Sequence, residues 1–342
     1  MKAFIPIAGI GKRLRPFTLN TPKPFIKIAD KTILEYLIDS LNQYFNNKIT
    51  SLHFILRKDI LENFSNFFEK IKNKYNLPLF FYFQEQQLGT AHAIYCAKEN
   101  LSGEAIIAFG DTIFFNPSVP FNAILLNCDS IIFTKQVENP SQYGVVLLNE
   151  KGEITNFIEK PKTFVSNQAI TGLYYFKNIE KLNSYIKTII EKNIKGNNEY
   201  QLTDALIMML KDNYKFKNCE VEYWLDCGSL NQLLFANKII LTLFYNNTQD
   251  KISKNNSLII QPSFISNNVN IKNSIIGPYV SISENVNLEN CIIKNSIIMK
   301  NTFIKNCVLT NSIIGENCSL VRNSNTIYLG NFSSLMFDNE NL

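Results

Sequence analysis

Residues 5–24 read Ile5-Pro6-Ile7-Ala8-Gly9-Ile10-Gly11-Lys12-Arg13-Leu14-Arg15-Pro16-Phe17-Thr18, then Thr21-Pro22-Lys23-Pro24 after two intervening residues. The apolar run from Lys2 to Ile7 predicts a buried strand. It gives way to a turn in which Gly9 and Gly11 let bare backbone N–H groups approach an anion. Arg13 and Lys23 bring positive charge to the same mouth. The third glycine of a dinucleotide fingerprint is missing, and so is the Gly-Lys-Ser/Thr ending of a P-loop. What this stretch predicts is a strand followed by an anion-seeking turn.

Downstream the chain keeps alternating. A helix is expected over Ile33–Tyr44, a strand at Ser51–Leu56, and helical spacing of Phe and Ile over Leu61–Tyr75. Leu79–Phe83 reads as a strand, Thr90–Lys98 as a helix, and Ala105–Phe109 as a strand ending at Gly110-Asp111. Strands alternating with helices of this length predict an α/β fold with a mostly parallel, doubly wound sheet. Ligands of such sheets bind beyond the carboxyl ends of the strands, so the turns after Ile7, Phe83 and Phe109 should face one crevice. From Ser130 the pattern turns hairpin-like, with strands at Ile131–Gln136, Gly144–Leu148, Ile154–Ile158 and Ala169–Phe176. Helices follow at Ile179–Glu191 and Thr203–Lys211. The strand Glu220–Leu225 then leads to Asp226-Cys227-Gly228 and a last helix, Leu230–Phe244.

Residues 246–257 are polar and unpatterned, and read as a linker between a domain at 1–245 and another at 258–337. In the second, aliphatic residues recur every five or six positions: Ile259, Ile265, Ile271, Ile276, Ile282, Leu288, Ile293, Ile298, Ile304, Leu309, Ile314 and Leu320. A short fixed period means coils that stack and cannot bury their apolar side alone, which predicts a hexapeptide-type parallel β-helix. Leu329 and Leu335 would close it with a terminal coil.

Composition bounds the function. The 342 residues are 46% apolar, and 34 Lys and Arg against 29 Asp and Glu leave a net charge of +5. No block of like charges suggests a nucleic-acid arm. The seven cysteines are scattered without a Cys-x-x-Cys pair, as buried thiols in a reducing compartment would be. There is no signal-peptide pattern and no apolar run near the roughly 18 residues of a membrane span. A cytoplasmic protein with no membrane and no nucleic-acid partner is expected.

The whole string Gly-x-Gly-x-Arg-Leu-x-Pro-x-Thr with Pro-Lys-Pro resembles the signature of the sugar-1-phosphate nucleotidylyltransferases. Further segments carry the resemblance. Phe83-Gln84-Glu85-Gln86-Gln87-Leu88-Gly89-Thr90-Ala91 looks like the family's base-recognition segment, and Phe109-Gly110-Asp111-Thr112 like its metal-binding turn. Tyr143-Gly144-Val145-Val146, Ile158-Glu159-Lys160-Pro161 and Thr171-Gly172-Leu173-Tyr174 are similar to its sugar-phosphate pocket. Glu199-Tyr200-Gln201-Leu202-Thr203-Asp204 and Trp224-Leu225-Asp226-Cys227-Gly228 complete the series, which spans about residues 2–240. A trailing β-helix is typical of the long glucose-1-phosphate thymidylyl- or uridylyltransferases. The sequence departs from the family at Ala8, where many members have a second glycine, and at Lys12, Thr112 and Cys227. No charged catalytic group is lost.

The resemblance implies a Rossmann-like mixed, mostly parallel sheet of the nucleotide-diphospho-sugar transferase type, then a left-handed parallel β-helix. It implies one displacement, in which an oxygen of a sugar-1-phosphate attacks the α-phosphorus of a nucleoside triphosphate. Ala8, Gly9, Gly11, Lys12, Gln84, Gly89 and Thr90 would bind the nucleotide. Gly144, Glu159, Lys160, Thr171, Gly172, Glu199 and Trp224 would bind the sugar phosphate, with Trp224 equally readable as a core anchor. Asp111 and Asp226 would hold Mg²⁺, and Arg13, Lys23 and Lys160 would carry the phosphate charge. Glucose-1-phosphate with dTTP or UTP is favoured over mannose-1-phosphate with GTP, and a homo-oligomer through the β-helix is expected. A β-helix acyltransferase would need a nearby histidine base, but His53 and His92 both lie far upstream. A silent regulatory subunit would have lost Arg13, Lys23, Asp111 or Asp226, and all four are present.

Overall fold

The apolar opening run forms strand β1 (Lys2–Pro6), and it lies inside a ten-stranded sheet. The computed structural model describes residues 1–117, 120–121, 128–196, 198–246, 251–253 and 255–336. By contacts the chain divides into two units, Met1–Gly9 with Glu35–Trp224, and Ile10–Leu34 with Leu225–Leu342.

In the first unit β1 is flanked in parallel by β2 (Ser51–Leu56) and β4 (Ala105–Ala108), with β3 (Leu79–Phe83) parallel to β2. The later strands are β5 (Thr112–Pro117), β6 (Ser130–Gln136), β7 (Gly144–Leu148), β8 (Ile154–Glu159), β9 (Gln168–Phe176) and β10 (Phe216–Asp226). Sheet order is β3-β2-β1-β4-β9-β6-β10-β5, with β7 paired to β8 and β9. The sheet is therefore mixed. β9 runs antiparallel between β4 and β6, whereas β10 is parallel to β6. Antiparallel neighbours need no helical crossover, which is why no α-helix separates β6, β7, β8 and β9.

Helix α1 spans Ile33–Tyr44 as expected. The helical spacing read over 61–75 is two helices, α2 (Lys58–Asn63) and α3 (Ser65–Tyr75), because Phe64 leaves the helical region at φ −120. Helix α4 stops early, at Thr90–Tyr95. With α5 (Glu180–Glu191) and α6 (Leu202–Lys211) it covers one face of the sheet, burying Phe4, Ile107, Phe157, Phe176, Ile186 and Leu206 in one core.

The second unit begins with three single 3₁₀ turns at Lys12–Leu14, Phe17–Leu19 and Lys23–Phe25, then the short ladder of Lys27–Ile28 with Lys31–Thr32. After β10 comes α7 (Leu230–Phe244), and then parallel strands stack coil on coil. The aliphatic period is the register of that stack. Ile259, Ile276, Ile293 and Leu309 form one column. Ile265, Ile282, Ile298, Ile314 and Leu329 form a second. Ile271, Leu288, Ile304, Leu320 and Leu335 form the third.

The asparagines between them are structural as well. Asn273, Asn290 and Asn306 all take positive φ, as do Asn285, Asn301 and Asn317. Within each series an asparagine donates its amide to that of the next coil: Asn273 to Asn290 and, at 2.9 Å, Asn290 to Asn306; Asn285 to Asn301 and, at 3.1 Å, Asn301 to Asn317. Within this unit α7 is tied to the coils through buried Asn237, which donates to the Tyr279 carbonyl at 3.1 Å and accepts from the Ser281 hydroxyl at 2.5 Å. Residues 10–34 meet the coils too. Lys27 pairs with Glu284 at 3.3 Å, and a side chain at Gly330 would lie 2.8 Å from Pro16.

Of the stretch read as a linker, 247–250 and 254 lie outside the described residues, as does residue 337 at the end of the β-helix range. Lys251–Ser253 is a strand, antiparallel to Ser257–Ile259. None of the described helices is long and apolar enough to cross a membrane.

Candidate active site

In the first unit the turns after β1, β3 and β4 come together. Ala8 is 3% exposed, and its carbonyl accepts from Gln87 Nε2 at 2.8 Å and from Arg57 Nη1 at 3.1 Å. Gly110 donates its N–H to Pro6 O at 3.2 Å, and a Cβ there would fall 2.2 Å from Ile7. That contact admits only glycine, and it fixes the Phe109–Thr112 turn beside the end of β1. The other side of the turn is held by β9. Thr112 donates to the Thr171 carbonyl at 3.2 Å, and Phe109 packs where a Gly172 side chain would be. Asp111 is half-buried on this turn.

The base-recognition segment is braced from within. Gln84 is 5% exposed, and its amide nitrogen reaches the Gly89 carbonyl and His92 Nδ1, both at 3.2 Å. Burial lowers the His92 pKa, which suits a neutral ring accepting at Nδ1. Gly89 has φ +115, and a Cβ would sit 2.5 Å from the Tyr200 carbonyl. Tyr200 also donates its N–H to Leu88 O at 2.8 Å. The close approach that demands this glycine is thus the backbone of Tyr200. Thr90 accepts from the Leu202 N–H at 2.9 Å and so caps α6.

Three of the sugar-phosphate candidates, Gly144, Glu159 and Lys160, converge. A side chain at Gly144 would meet Glu159 Oε2 at 2.9 Å, and that oxygen accepts from Thr203 Oγ1 at 2.7 Å. Lys160 Nζ lies 3.8 Å from Glu159 Oε1 with its side chain half-exposed. Its backbone is left-handed, at φ +44, an uncommon state for a side chain-bearing residue that its N–H bond to Tyr143 O at 3.0 Å helps to hold. Glu199 accepts from Gln201 Nε2 at 3.3 Å. Asp204 has its pKa raised by burial and by the charge of Glu159. Trp224 packs edge-on against Tyr143 at 4.8 Å, and its buried Nε1 has no acceptor among the described residues. Thr171 turns inward, its hydroxyl donating to Phe133 O at 2.9 Å.

The second unit gathers the cations. Gly11 is left-handed at φ +66, with its carbonyl accepting from Thr18 Oγ1 at 2.7 Å. Lys12 and Arg13 are exposed, whereas Lys23 is buried with Nζ 3.8 Å from Asp226 Oδ1. A side chain at Gly228 would lie 2.8 Å from both Arg13 Nη2 and Asp226 Oδ1, so this glycine lets the guanidinium and carboxylate close in. The other carboxylate oxygen accepts from Gln232 Nε2 at 2.9 Å. Ser229 donates to Gln232 Oε1 at 2.9 Å and thereby orients that amide.

Asp111 and Asp226 offer hard oxygen donors, and no group of three or more His, Cys, Asp or Glu is found among the described residues. Carboxylates of this kind, one in each unit, supply the hard oxygens that Mg²⁺ accepts beside waters and phosphate oxygens. The sequence alone assigns no role to Arg57 or Gln87, because their partner, Ala8, is 49 and 79 residues away, and Ser229 and Gln232, though close to Asp226 in sequence, lie just past the end of the motif that contains it.

Residues 2–242 match the family model described as nucleotidyl transferase, and residues 259–328 match one described as GMPPB C-terminal domain. A protein of Methanococcus vannielii named bifunctional protein GlmU is 33% identical over 284 residues, covering 81% of this chain and 60% of that one. A bifunctional sugar-1-phosphate nucleotidylyltransferase/acetyltransferase of Sulfurisphaera tokodaii is 34% identical over 268 residues, covering 76% and 62%. The chain thus spans about three fifths of the length of these relatives. A solved Bacillus anthracis structure, described as a glucose-1-phosphate thymidylyltransferase in complex with sucrose, aligns with TM-score 0.59 at 23% identity over 70% of this chain and 94% of that one. A UDP-glucose pyrophosphorylase solved with UDP-glucose gives TM-score 0.59 at 23% identity over 71% and 98%. These two likenesses speak to the fold. The sequence match runs from the anion-seeking turn through Asp226 and beyond: the chain belongs to the nucleotidyl transferase family.

Proposed function

We propose that the protein is a sugar-1-phosphate nucleotidylyltransferase, joining a nucleoside triphosphate to a sugar-1-phosphate and releasing pyrophosphate. The observation that supports this reading is that Arg13 and Asp226 meet at Gly228 and Lys23 lies 3.8 Å from the same Asp226, in a chain of this family. An oxygen of the sugar phosphate bonds to the α-phosphorus, and the bond from that phosphorus to the bridging oxygen breaks, its electron pair leaving on pyrophosphate. No proton need move, so alignment and charge neutralisation are the protein's task.

In this reading Arg13 and Lys23 neutralise the triphosphate and the leaving group, and Lys160 pins the sugar phosphate. Glu159 and Glu199 accept sugar hydroxyls, Gly144, Thr171, Gly172 and Trp224 shape that pocket, and the segment from Gln84 to Thr90 receives the base. Asp111 and Asp226 would hold Mg²⁺, which supplies charge neutralisation at the phosphates. The domains are 1–245 for catalysis, 246–257 as linker and 258–337 as β-helix. The protein is read as a cytoplasmic homo-oligomer. The acetyltransferase activity in the name of the Sulfurisphaera tokodaii relative is not carried over, because residues 258–337 contain no histidine to serve as base.

Glucose-1-phosphate with dTTP or UTP is the preferred pair. Mannose-1-phosphate with GTP is the second reading, favoured by the match of 259–328 to the GMPPB C-terminal domain. The test is pyrophosphate release with Mg²⁺ across a matrix of triphosphates and sugar-1-phosphates. Turnover confined to GTP and mannose-1-phosphate would replace the first reading by the second, and no turnover at all would sink both. Asp111→Ala is expected to abolish pyrophosphate release.

A further inference from the structure

Ala8 O has two lone pairs, and two side chains take them, Gln87 Nε2 at 2.8 Å and Arg57 Nη1 at 3.1 Å. The Arg57 donor is itself fixed, because Nε and Nη2 each bond to a different oxygen of Asp59 at 2.9 Å. That fork geometry orients a guanidinium more firmly than a single contact does. A carbonyl pinned from two directions cannot swing.

The consequence follows from the peptide bond. The unit from Ala8 to Gly9 is planar, and in its usual trans form the Gly9 N–H points opposite to the Ala8 carbonyl. Pinning the oxygen therefore aims the hydrogen. The surroundings of Gly9 are open. No atom lies within 4 Å of where a Gly9 Cβ would be, the residue is exposed, and its N–H has no acceptor among the described residues. An oriented backbone donor without a protein acceptor is what an anionic oxygen requires. The clamp also joins two functions, since Gln87 belongs to the segment read as receiving the base.

We infer that Arg57 and Gln87 are positioning residues that hold the Ala8–Gly9 peptide so that the Gly9 N–H donates to a phosphate oxygen of the bound triphosphate. The inference rests on the nucleotidylyltransferase reading. In this role neither side chain has to touch the triphosphate itself. Each acts through the one carbonyl they share, and this gives a signature that general loss of structure does not.

The experiment compares wild type with Gln87→Leu, Arg57→Met and the double variant, measuring KM for the triphosphate, KM for the sugar-1-phosphate, kcat and the melting temperature. Either donor alone still restrains the carbonyl. Each single variant should therefore raise the triphosphate KM about threefold and the double about thirtyfold, more than the product of the singles. The sugar-1-phosphate KM and the melting temperature should stay at their wild-type values. Asp59→Asn, which frees Arg57 without touching Ala8, should resemble Arg57→Met. A double variant with wild-type triphosphate KM, or one whose two KM values rise together, overturns the inference while leaving the function intact. A wild type that turns over no triphosphate overturns the function and the inference with it.

Discussion

Two turns of the first unit, at Gly89 and Gly172, and most corners of the β-helix share positive φ, and they fill those positions differently. In the first unit the site turns on Gly89 and Gly172, where a Cβ would strike Tyr200 at 2.5 Å or Phe109 at 2.9 Å. In the β-helix most such corners are asparagines, and the amides of several reach the next coil 16 or 17 residues on. What lies beside the turn decides. Where another segment presses against the backbone, only the absence of a side chain serves. Where an identical turn repeats above and below, a short amide tolerates positive φ and adds a hydrogen bond.

The contrast is breakable. Gly89→Ala meets both a forbidden φ and the Tyr200 backbone, and should cost about 4 kcal/mol in urea unfolding of the first unit. Gly89→Asn should be no better, because tolerance of φ does not move Tyr200; an Asn variant of wild-type stability would erase the distinction. The next effect is pH. His53 is 1% exposed, between Ser51 and the Tyr82 hydroxyl, and burial holds its pKa down at about 4. The unfolded chain therefore binds the proton first. Stability is complete above about pH 6.5 and falls as the pH drops towards 4, by about 2 kcal/mol on reaching pH 5. His92 shifts in the same direction, and both histidines belong to the first unit. Hydrogen exchange at pH 7 and 5 should thus show opening of the first unit and little change in the coils, and His53→Gln should flatten the response. Asn290→Ala keeps a Cβ at positive φ and drops bonds to Asn273 and Asn306, for about 1.5 kcal/mol measured by exchange within the β-helix. Ile293→Val removes one methylene from a column and should cost about 1 kcal/mol in the same measurement.

Legibility followed the range of the determining contacts. The aliphatic period was readable because each coil sees only its neighbours, so Ile271 to Leu320 fell into columns without further information. The alternation up to Gly110 was readable for the same local reason. The antiparallel place of β9 was not, since it depends on which strands meet across the sheet. Nor was the grouping of residues 10–34 with 225–342, which joins segments some two hundred residues apart. Gly89 stood out as a nucleotide-binding glycine, whereas the close approach that the fold itself requires there is that of Tyr200, 111 residues away. The clamp on Ala8 was not legible, because Gln87 carries no role of its own within its motif and Arg57 lies in none; only the strands bring both to one carbonyl.

The asparagine ladders also set a unit of length. An insertion of one or two residues between Asn285 and Asn301 would push every later aliphatic residue off its column and every amide off its partner. An insertion of one whole coil would disturb neither, since the new rung finds the same columns above and below. This part of the chain is therefore free to grow or shrink in evolution only in rungs, as a ladder does, and homologues are expected to differ here by whole multiples of a coil.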